Sequence, residues 1–280
     1  MNPRIPTEPD PQSPRIPKFS TRVNDFLQWL RTKNLSPRYT KDITNYLRKY
    51  LNNDIMYIGE LAGLLAKIRT KNLSVAIRVY LNFLIEYNIV KDEDMVYFRK
   101  ILKSQKSNPD NFVPTDEQVR DAYSKTRNGR HKTIFLLLAY SGIRITEAVK
   151  MLSEFERDRL IINGDIARYP LSYNRGQKRV SYVYMPREFA LTLHKMHSTQ
   201  KVALAIKYQS DLSPKYLRKW LYNFLILNNV PESVADFIEG RVPESVGSMH
   251  YLSKVKQADY WYILILKSLG AVLIDYDYPL

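Results

Sequence analysis

Arg144 lies in the segment SGIRITEAVKML, shortly after an almost entirely apolar stretch from His131 to Tyr140. A guanidinium this close to a buried helix is expected to lose much of its hydration. A buried charge is costly unless it is paired, so Arg144 requires a carboxylate partner or an anionic ligand. Glu147, three residues further on, offers that carboxylate. The sequence therefore allows either a structural ion pair or an anion-binding site.

A second group of cations opens the segment SPKYLRKW, in which Ser213 and Pro214 precede Lys215, Arg218 and Lys219. Three cations in the first two turns of a helix oppose the helix dipole, whose positive end is already there. Lys215 and Arg218, three residues apart, are expected to share a face and to converge with free backbone N–H groups on an anion such as a phosphate. The alternative is a solvated basic helix end.

Two further candidates gain meaning only from their order along the chain. Lys178 follows a predicted turn in NRGQKRV, between Arg175 and Arg179, where it is able to reach into a DNA groove or simply to face solvent. Tyr251 follows Arg241 by ten residues in GRVPESVGSMHYLSK. One tyrosine among 21 indicates little by itself.

The ordered set of these segments resembles the tyrosine recombinase family. SGIRITEAVKML resembles its first arginine box, KYLRKW its second box, and EGRVPESVGSMHYL the segment that leads to the nucleophile. The resemblance extends from Asn24 to about Leu269, since the family also has an N-terminal helical core-binding domain. Lys215 replaces the usual histidine of the second box, and Arg241 replaces the usual histidine or tryptophan. Both substitutions resemble integrases of archaeal fuselloviruses and plasmids.

The resemblance implies six catalytic residues, namely Tyr251, Arg144, Lys178, Lys215, Arg218 and Arg241. Tyr251 would be the nucleophile, and Arg144 and Arg218 would hold the scissile phosphate. Lys178 would be the general acid for the departing 5′-hydroxyl, although the alignment also allows Arg175 in this place.

The remaining basic residues are expected to assist. Lys215 and Arg241 are placed by the resemblance to activate the phenol, whose pKa is ordinarily about 10. Whether a lysine could accept the proton depends on burial lowering its pKa. Arg175, Arg179 and Lys219 are expected to contact DNA.

The family relationship also implies partners and products. The expected partner is double-stranded DNA at attachment sites, bound by a homotetramer whose free form is a monomer or dimer. A 3′-phosphotyrosyl intermediate conserves bond energy, so neither ATP nor a metal nor another cofactor is expected. The enzyme would integrate and excise a viral or plasmid genome, in the cytoplasm of the host at its nucleoid.

Composition agrees with a nucleic-acid partner. The 280 residues carry 43 Lys and Arg against 28 Asp and Glu, a net charge of +15 that attracts polyanions, although charge alone does not decide the partner. Cysteine is absent, which excludes disulfides, thiol catalysis and Cys-ligated zinc. His194 and His197 are expected on a helix surface rather than at a metal. The apolar runs TIFLLLAY and YWYILIL are far shorter than the roughly 20 residues of a membrane span.

The pattern predicts a mainly α (α+β) chain with four segments. Residues 1–18 are expected to be a disordered Pro-rich tail, 19–103 a helical core-binding domain that contacts DNA, 104–114 a linker and 115–280 the catalytic domain. Ser36-Pro37 is a good helix start, and Thr115 with Gln118 has the spacing of a capping box.

A small sheet is predicted inside the second domain. Asn163-Gly164 is a hairpin signal flanked by alternating apolar residues, and a second turn is expected at 174–177, which together give a three-stranded antiparallel sheet. A last apolar helix is predicted from about Gln257 to Leu269. Within it, Tyr260 to Leu266 would be either an oligomerisation segment or an ordinary core helix, and the tail GAVLIDYDYPL could serve the same assembly.

Three other functions use similar residues or the same fold. A Xer-like dimer resolvase or a type IB topoisomerase would share the chemistry. A non-catalytic DNA-binding protein of this fold would not, because its behaviour would be unchanged by mutation of Tyr251.

Overall fold

The protein is described by a computed structural model that covers residues 15–102, 110–175, 178–243 and 248–273, with the side chains of 172–180 and 242–252 outside the description. The chain divides into two compact units, Met1–Pro109 and Asp110–Leu280. The described residues are mostly helical and carry one small antiparallel sheet, so the predicted fold class is confirmed.

The first unit is helical throughout its described part. A short 3₁₀ turn at Phe19–Thr21 precedes five α-helices: α1 (Val23–Thr32), α2 (Pro37–Tyr50), α3 (Ile58–Ile68), α4 (Lys71–Glu86) and α5 (Asp92–Ile101). Ser36 caps α2 by accepting the Tyr39 N–H, and Pro37 occupies the first turn, as predicted. Helix α4 supplies the largest share of the buried core, with Tyr80 and Phe83 fully enclosed.

The predicted disordered tail is wrong for residues 15–18. Ile16 is fully buried and forms an antiparallel bridge with Ile55, with both N–H···O distances at 2.9 Å. The N–H of Lys18 donates to the Asp54 carboxylate at 2.8 Å. Ile16 is a single apolar residue between prolines, so no helical or strand periodicity identifies it in the sequence. Its side chain is nevertheless part of the core of the first unit. Residues 1–14 lie outside the described part.

The described part of the second unit contains eight helices and the sheet. The helices are α6 (Asp116–Lys125), α7 (Gly129–Ser141), α8 (Ile145–Ser153), α9 (Arg187–Thr192), α10 (Val202–Ser210), α11 (Lys215–Leu227), α12 (Glu232–Ile238) and α13 (Ser248–Leu273). The capping box of Thr115 and Gln118 at the start of α6 is confirmed. Helix α7 is the buried helix expected from His131 to Tyr140.

The predicted three-stranded sheet is present and gains a short fourth strand. Strands β1 (Ile161–Asn163), β2 (Ile166–Arg175), β3 (Lys178–Pro186) and β4 (Val242–Pro243) pair antiparallel in that order. The first hairpin pairs Asn163 with Ile166, so its turn residues are Gly164 and Asp165 rather than Asn163 and Gly164. Gly164 alone of the two has positive φ, at 60°. A turn with glycine in its first central position meets that requirement.

The last helix begins nine residues earlier than the predicted Gln257. Its buried positions include Val255, Ala258 and Tyr262, a helical spacing that begins before the contiguous apolar run. The Tyr262 hydroxyl donates to the Tyr140 carbonyl at 2.8 Å and so joins α13 to α7. No helix in the described ranges is both long and apolar enough to cross a membrane.

His194 and His197 do not lie on a helix, so that expectation is wrong. They follow α9 in an extended segment that the Met196 N–H ties to the Leu152 carbonyl at 2.8 Å. Leu193 already has extended dihedrals, which ends α9 before either histidine.

Candidate active site

Helix α11 presents Arg218 to the turn that ends α7. The Nη1 group of Arg218 donates a 2.6 Å hydrogen bond to the Gly142 carbonyl, and only 15% of the side chain is exposed. Burial lowers the pKa of Arg218; Glu239 raises it, whereas Arg144 and Arg241 lower it further. The guanidinium is thus a largely desolvated cation surrounded by other charged groups.

Glycines close the helices that lead to the other two arginines. Gly142 and Gly240 have left-handed φ angles of 62° and 65°. A residue without Cβ ends a helix in this conformation without steric cost. The predicted turn at Gly142 is therefore confirmed, and it delivers Arg144 two residues later. Gly240 directs the chain into Arg241.

Glu239 is the buried carboxylate at the centre of the site. Its Oε2 atom lies 2.6 Å from the Nε of Arg241 and 3.6 Å from the Nε of Arg218. The guanidinium of Arg241 also lies over the Tyr222 ring, with 4.3 Å between Cζ and the ring centroid. The end of α12 is thereby joined to one face of α11.

Arg144 forms the ion pair that the sequence offered as its structural alternative. Its Nη1 lies 2.7 Å from Oε1 of Glu147, and its backbone N–H donates to Oε2 at 2.7 Å. The side chain nevertheless stays 31% exposed. Arg144 lowers the pKa of Arg218, and Arg218 binds the Gly142 carbonyl two residues before Arg144, so the two arginines belong to neighbouring parts of one site.

Arg144, Arg218 and Arg241 are called the arginine cluster below. Lys215 forms its ion pair outside this cluster. Its Nζ lies 2.9 Å from the Asp110 carboxylate, and 61% of the side chain is exposed. The hydrogen bond raises the pKa of Lys215 and lowers the pKa of Asp110 to about 2. Lys215 is therefore a protonated cation here, which does not suit a proton acceptor. Lys219 contacts the carbonyls of Asp110 and Phe112, so the last part of the predicted linker packs on α11.

The start of α11 differs from the anion cradle predicted for it. The N–H groups of Tyr216 and Leu217 are not free, because they donate to the carbonyls of Ser213 and Pro214 at 2.9 and 3.2 Å. Pro214 already has helical dihedrals, which tightens the turn before the helix. The two basic side chains on this face also contact different partners. An anion bound here would be held by side chains.

Backbone pairing places the basic hairpin next to Arg241. Lys178 and Arg179 pair with β4, which directly follows Arg241. Arg175 pairs with Lys178 across β2 and β3. Adjacent strands are about 4.8 Å apart, so the hairpin backbone is close to the arginine cluster. The turn residues 176–177 and the side chains of this hairpin lie outside the described part.

Tyr251 lies in the first turn of α13, ten residues after Arg241. Its side chain and residues 244–247 are not part of the description. Its role as a nucleophile therefore stays a prediction at this stage.

The assembled cluster is suited to a monoanionic ligand. Its three arginines share two carboxylates, those of Glu147 and Glu239, which leaves one excess positive charge when both are ionised. A phosphodiester carries one negative charge, and planar guanidinium groups bind its two non-bridging oxygens through paired N–H donors.

Sequence reasoning missed Glu239, Tyr222 and Asp110. Glu239 had a local signal, because it lies two residues before Arg241 and directly after apolar residues. A carboxylate in that position is a candidate partner for a buried arginine. Tyr222 is four residues after Arg218 and so lies on the same helical face. Asp110 is more than 100 residues from Lys215 and gave no local signal.

Comparison with known proteins identifies the fold. A crystal structure of a lambda integrase fragment, solved as a dimer bound to a COC′ core site, superposes with a TM-score of 0.57 at 12% identity and covers 81% of this chain and 96% of that one. An integrase from mycobacterium phage Brujita matches with a TM-score of 0.42 at 16% identity, over 91% and 98% of the two chains. No curated protein matches the chain.

The fold together with the ordered motifs defines a tyrosine recombinase, an enzyme class of site-specific DNA recombination. The family model described as archaeal phage integrase matches residues 111–268, more than half of the chain. The chain belongs to that family, and the predicted resemblance is confirmed.

Replacing Gly142 by alanine is expected to damage both stability and DNA cleavage. A Cβ at this position would lie 2.8 Å from Cγ and Oε1 of Glu239. The left-handed backbone adds about 1–2 kcal/mol of strain. We expect the midpoint of thermal unfolding to fall by several degrees and the cleavage rate to fall at least tenfold, because the displaced carboxylate also holds Arg241.

Gly164→Ala is the matched control for this prediction. Gly164 also has φ of 60°, but a Cβ added there would have no neighbouring atom within 4 Å. It should lose only the stability that corresponds to the backbone strain, and it should keep its cleavage rate. Equal cleavage by the two variants would contradict the role given to the Gly142 turn.

Proposed function

We propose that the protein cuts and rejoins DNA at attachment sites through a 3′-phosphotyrosyl intermediate on Tyr251, and so integrates and excises a viral or plasmid genome in its host cell. The observation that carries this proposal is the convergence of Arg218 and Arg241 on the buried Glu239, with Arg218 also bound to the Gly142 carbonyl, two residues before Arg144. Three separate segments of the chain, which carry Gly142, Arg218, and Glu239 with Arg241, meet there with an excess of positive charge. A lone ion pair would need only two of them.

The arginine cluster would stabilise the transition state of phosphoryl transfer. Charge accumulates on the non-bridging oxygens as the attacking oxygen approaches phosphorus. Arg218 is already held by the Gly142 carbonyl and Arg241 by a carboxylate and an aromatic face, so little reorganisation is needed. Preorganised guanidinium groups supply the charge that metal ions supply elsewhere. We therefore propose that cleavage requires neither metal nor ATP.

The covalent steps balance without another reactant. The Tyr251 oxygen gives its proton to solvent water and bonds to phosphorus, while the bond from phosphorus to the 5′-oxygen breaks. The departing oxygen takes a proton from Lys178, or from Arg175 if that residue occupies the place. A 5′-hydroxyl from the exchanged strand then attacks the phosphotyrosine and releases the phenol. The number of phosphoester bonds is unchanged throughout.

Lys215 would act as a cation in this scheme. Its exposed, protonated side chain is suited to contact phosphate oxygens once it exchanges Asp110 for DNA. Lys219, Arg175 and Arg179 would add contacts to the DNA backbone, which do not depend on sequence.

Double-stranded DNA is the proposed partner, bound by a homotetramer. The lambda integrase fragment with the same fold is a dimer on DNA. Helix α13 exposes Tyr260, Ile263 and Leu264, an apolar face suited to a neighbouring protomer. We expect the free protein to be a monomer or a dimer.

The proposed function is tested with nicked suicide duplexes tiled across the gene and its flanking DNA. Each is incubated with the protein in EDTA without ATP, and the products are separated on a denaturing gel. We expect a covalent adduct with the duplexes that contain the attachment site. Retained binding with no adduct on any duplex would favour a non-catalytic DNA-binding protein, and plasmid relaxation without strand exchange would favour a topoisomerase.

A further inference from the structure

Glu239 occupies an unfavourable place for a carboxylate. It is fully buried at the C-terminal end of α12, where the helix dipole disfavours negative charge. Its Oε1 atom is buried and has no hydrogen-bond partner among the described residues. Burial raises the pKa of Glu239 to about 7, against the opposing effect of Arg218 and Arg241. A group kept at such a cost close to an active site is a candidate for a functional role.

The surrounding backbone makes room for this carboxylate. Gly142 faces Glu239 so closely that any larger residue would collide with it. The same glycine offers its carbonyl to Nη1 of Arg218. The turn at Gly142 thus leaves space for the Glu239 side chain and also accepts a hydrogen bond from Arg218.

Glu239 binds both arginines at the Nε side of their guanidinium groups. Its Oε2 atom contacts the Nε group of each guanidinium. Arg218 uses Nη1 for the Gly142 carbonyl, which leaves its Nη2 donors, while both Nη groups of Arg241 have no hydrogen-bond partner among the described residues. Arg218 can therefore donate to a phosphate oxygen through Nη2, and Arg241 can bind a phosphate through its paired Nη groups.

We infer that Glu239 is a positioning residue. It holds the Nε groups of Arg218 and Arg241, so that Nη2 of Arg218 and both Nη groups of Arg241 face the scissile phosphate. This inference rests on the proposed function and adds a residue to it. The negative charge of Glu239 also offsets part of the positive charge of the cluster. A neutral residue would weaken the contact to Nε of both arginines, which would leave Arg218 with the Gly142 carbonyl and Arg241 with the Tyr222 ring, and it would add to the positive charge of the site.

Glu239→Gln tests the inference, because it removes the charge and keeps the shape. We expect single-turnover cleavage of a suicide duplex to slow by about 10- to 100-fold, the effect of misplacing a reacting geometry, with the Kd for DNA within twofold of wild type. Glu188→Gln is the matched control, since it removes one negative charge from a side chain that is 78% exposed in the first turn of α9. It should cleave at the wild-type rate.

The pH profile separates positioning from a general structural effect. The charged groups that face Glu239 are Arg218 from α11 and Arg241 and Asp236 from the end of α12, with Arg144 and Glu147 acting on Arg218 from α8. Glu239 gains a proton below about pH 7, so wild-type cleavage should rise as the pH increases through that region. Glu239→Gln should lose this rise.

Arginine Nε–Hε signals in NMR spectra provide a readout that does not depend on catalysis. Glu239→Gln should speed the exchange of the Arg218 and Arg241 protons with water at least tenfold. Unchanged exchange, or cleavage as fast as in wild type, would overturn the inference. Failure of the proposed function is distinguishable, because the wild-type protein itself would then form no adduct while the NMR comparison still decides the role of Glu239.

Discussion

Arg218→Lys is expected to cleave a suicide duplex about 10³-fold more slowly than wild type, the scale of removing a preorganised transition-state donor. Lysine keeps the charge but lacks the planar fork, so it cannot hold the Gly142 carbonyl and a phosphate oxygen together. It still neutralises Glu239, which is fully buried. The fold should therefore survive, and the loss should reside in the rate rather than in DNA binding.

Arg187→Lys is the matched control for this substitution. Arg187 is about half exposed on α9, and its nearest carboxylate oxygen, on Glu188, is 4.0 Å away. The same chemical change there should leave cleavage unaltered. Cleavage by Arg218→Lys within tenfold of wild type, with normal thermal unfolding, would contradict the role of Arg218 as a phosphate clamp.

Tyr251→Phe is expected to abolish the covalent adduct, with a loss on the order of 10⁴-fold or more, because the attacking atom is removed. The phenyl ring keeps the size of the side chain, so DNA binding should remain. Tyr208→Phe is the control, since Tyr208 is 81% exposed on α10, outside the arginine cluster. Persistence of the adduct in Tyr251→Phe would assign the nucleophile to another residue.

The features predicted well from sequence are those with local physical causes. Gly142 ends α7 because glycine adopts positive φ readily, and Thr115 with Gln118 caps α6 through side chains three residues apart. The first hairpin follows from Gly164. Each of these signals lies within a few residues of the feature that it predicts.

The features that were missed depend on long-range contacts. Ile16 is buried only because Ile55 pairs with it, and β4 has two residues, too few for any alternation of polar and apolar side chains. Lys215 was predicted to bind an anionic ligand, but its ammonium group forms an ion pair with Asp110, which precedes α6 in the chain.

The candidate site shows the same division. The order of the motifs located all three arginines, because each follows a recognisable turn or helix start. Their carboxylate partners could be assigned only in part: Glu147 is one helical turn from Arg144, whereas the link from Glu239 to Arg218 joins α12 to α11. Pairing between helices is set by packing, which a single sequence does not specify.

The most direct test of the mechanism is to locate the DNA attachment in the trapped adduct. Trypsin should release residues 242–254, VPESVGSMHYLSK, whose single tyrosine is Tyr251. After nuclease digestion, mass spectrometry should find this peptide with a nucleotide joined through its 3′-phosphate to that tyrosine. A nucleotide on any other residue, or one joined through a 5′-phosphate, would contradict the proposed chemistry.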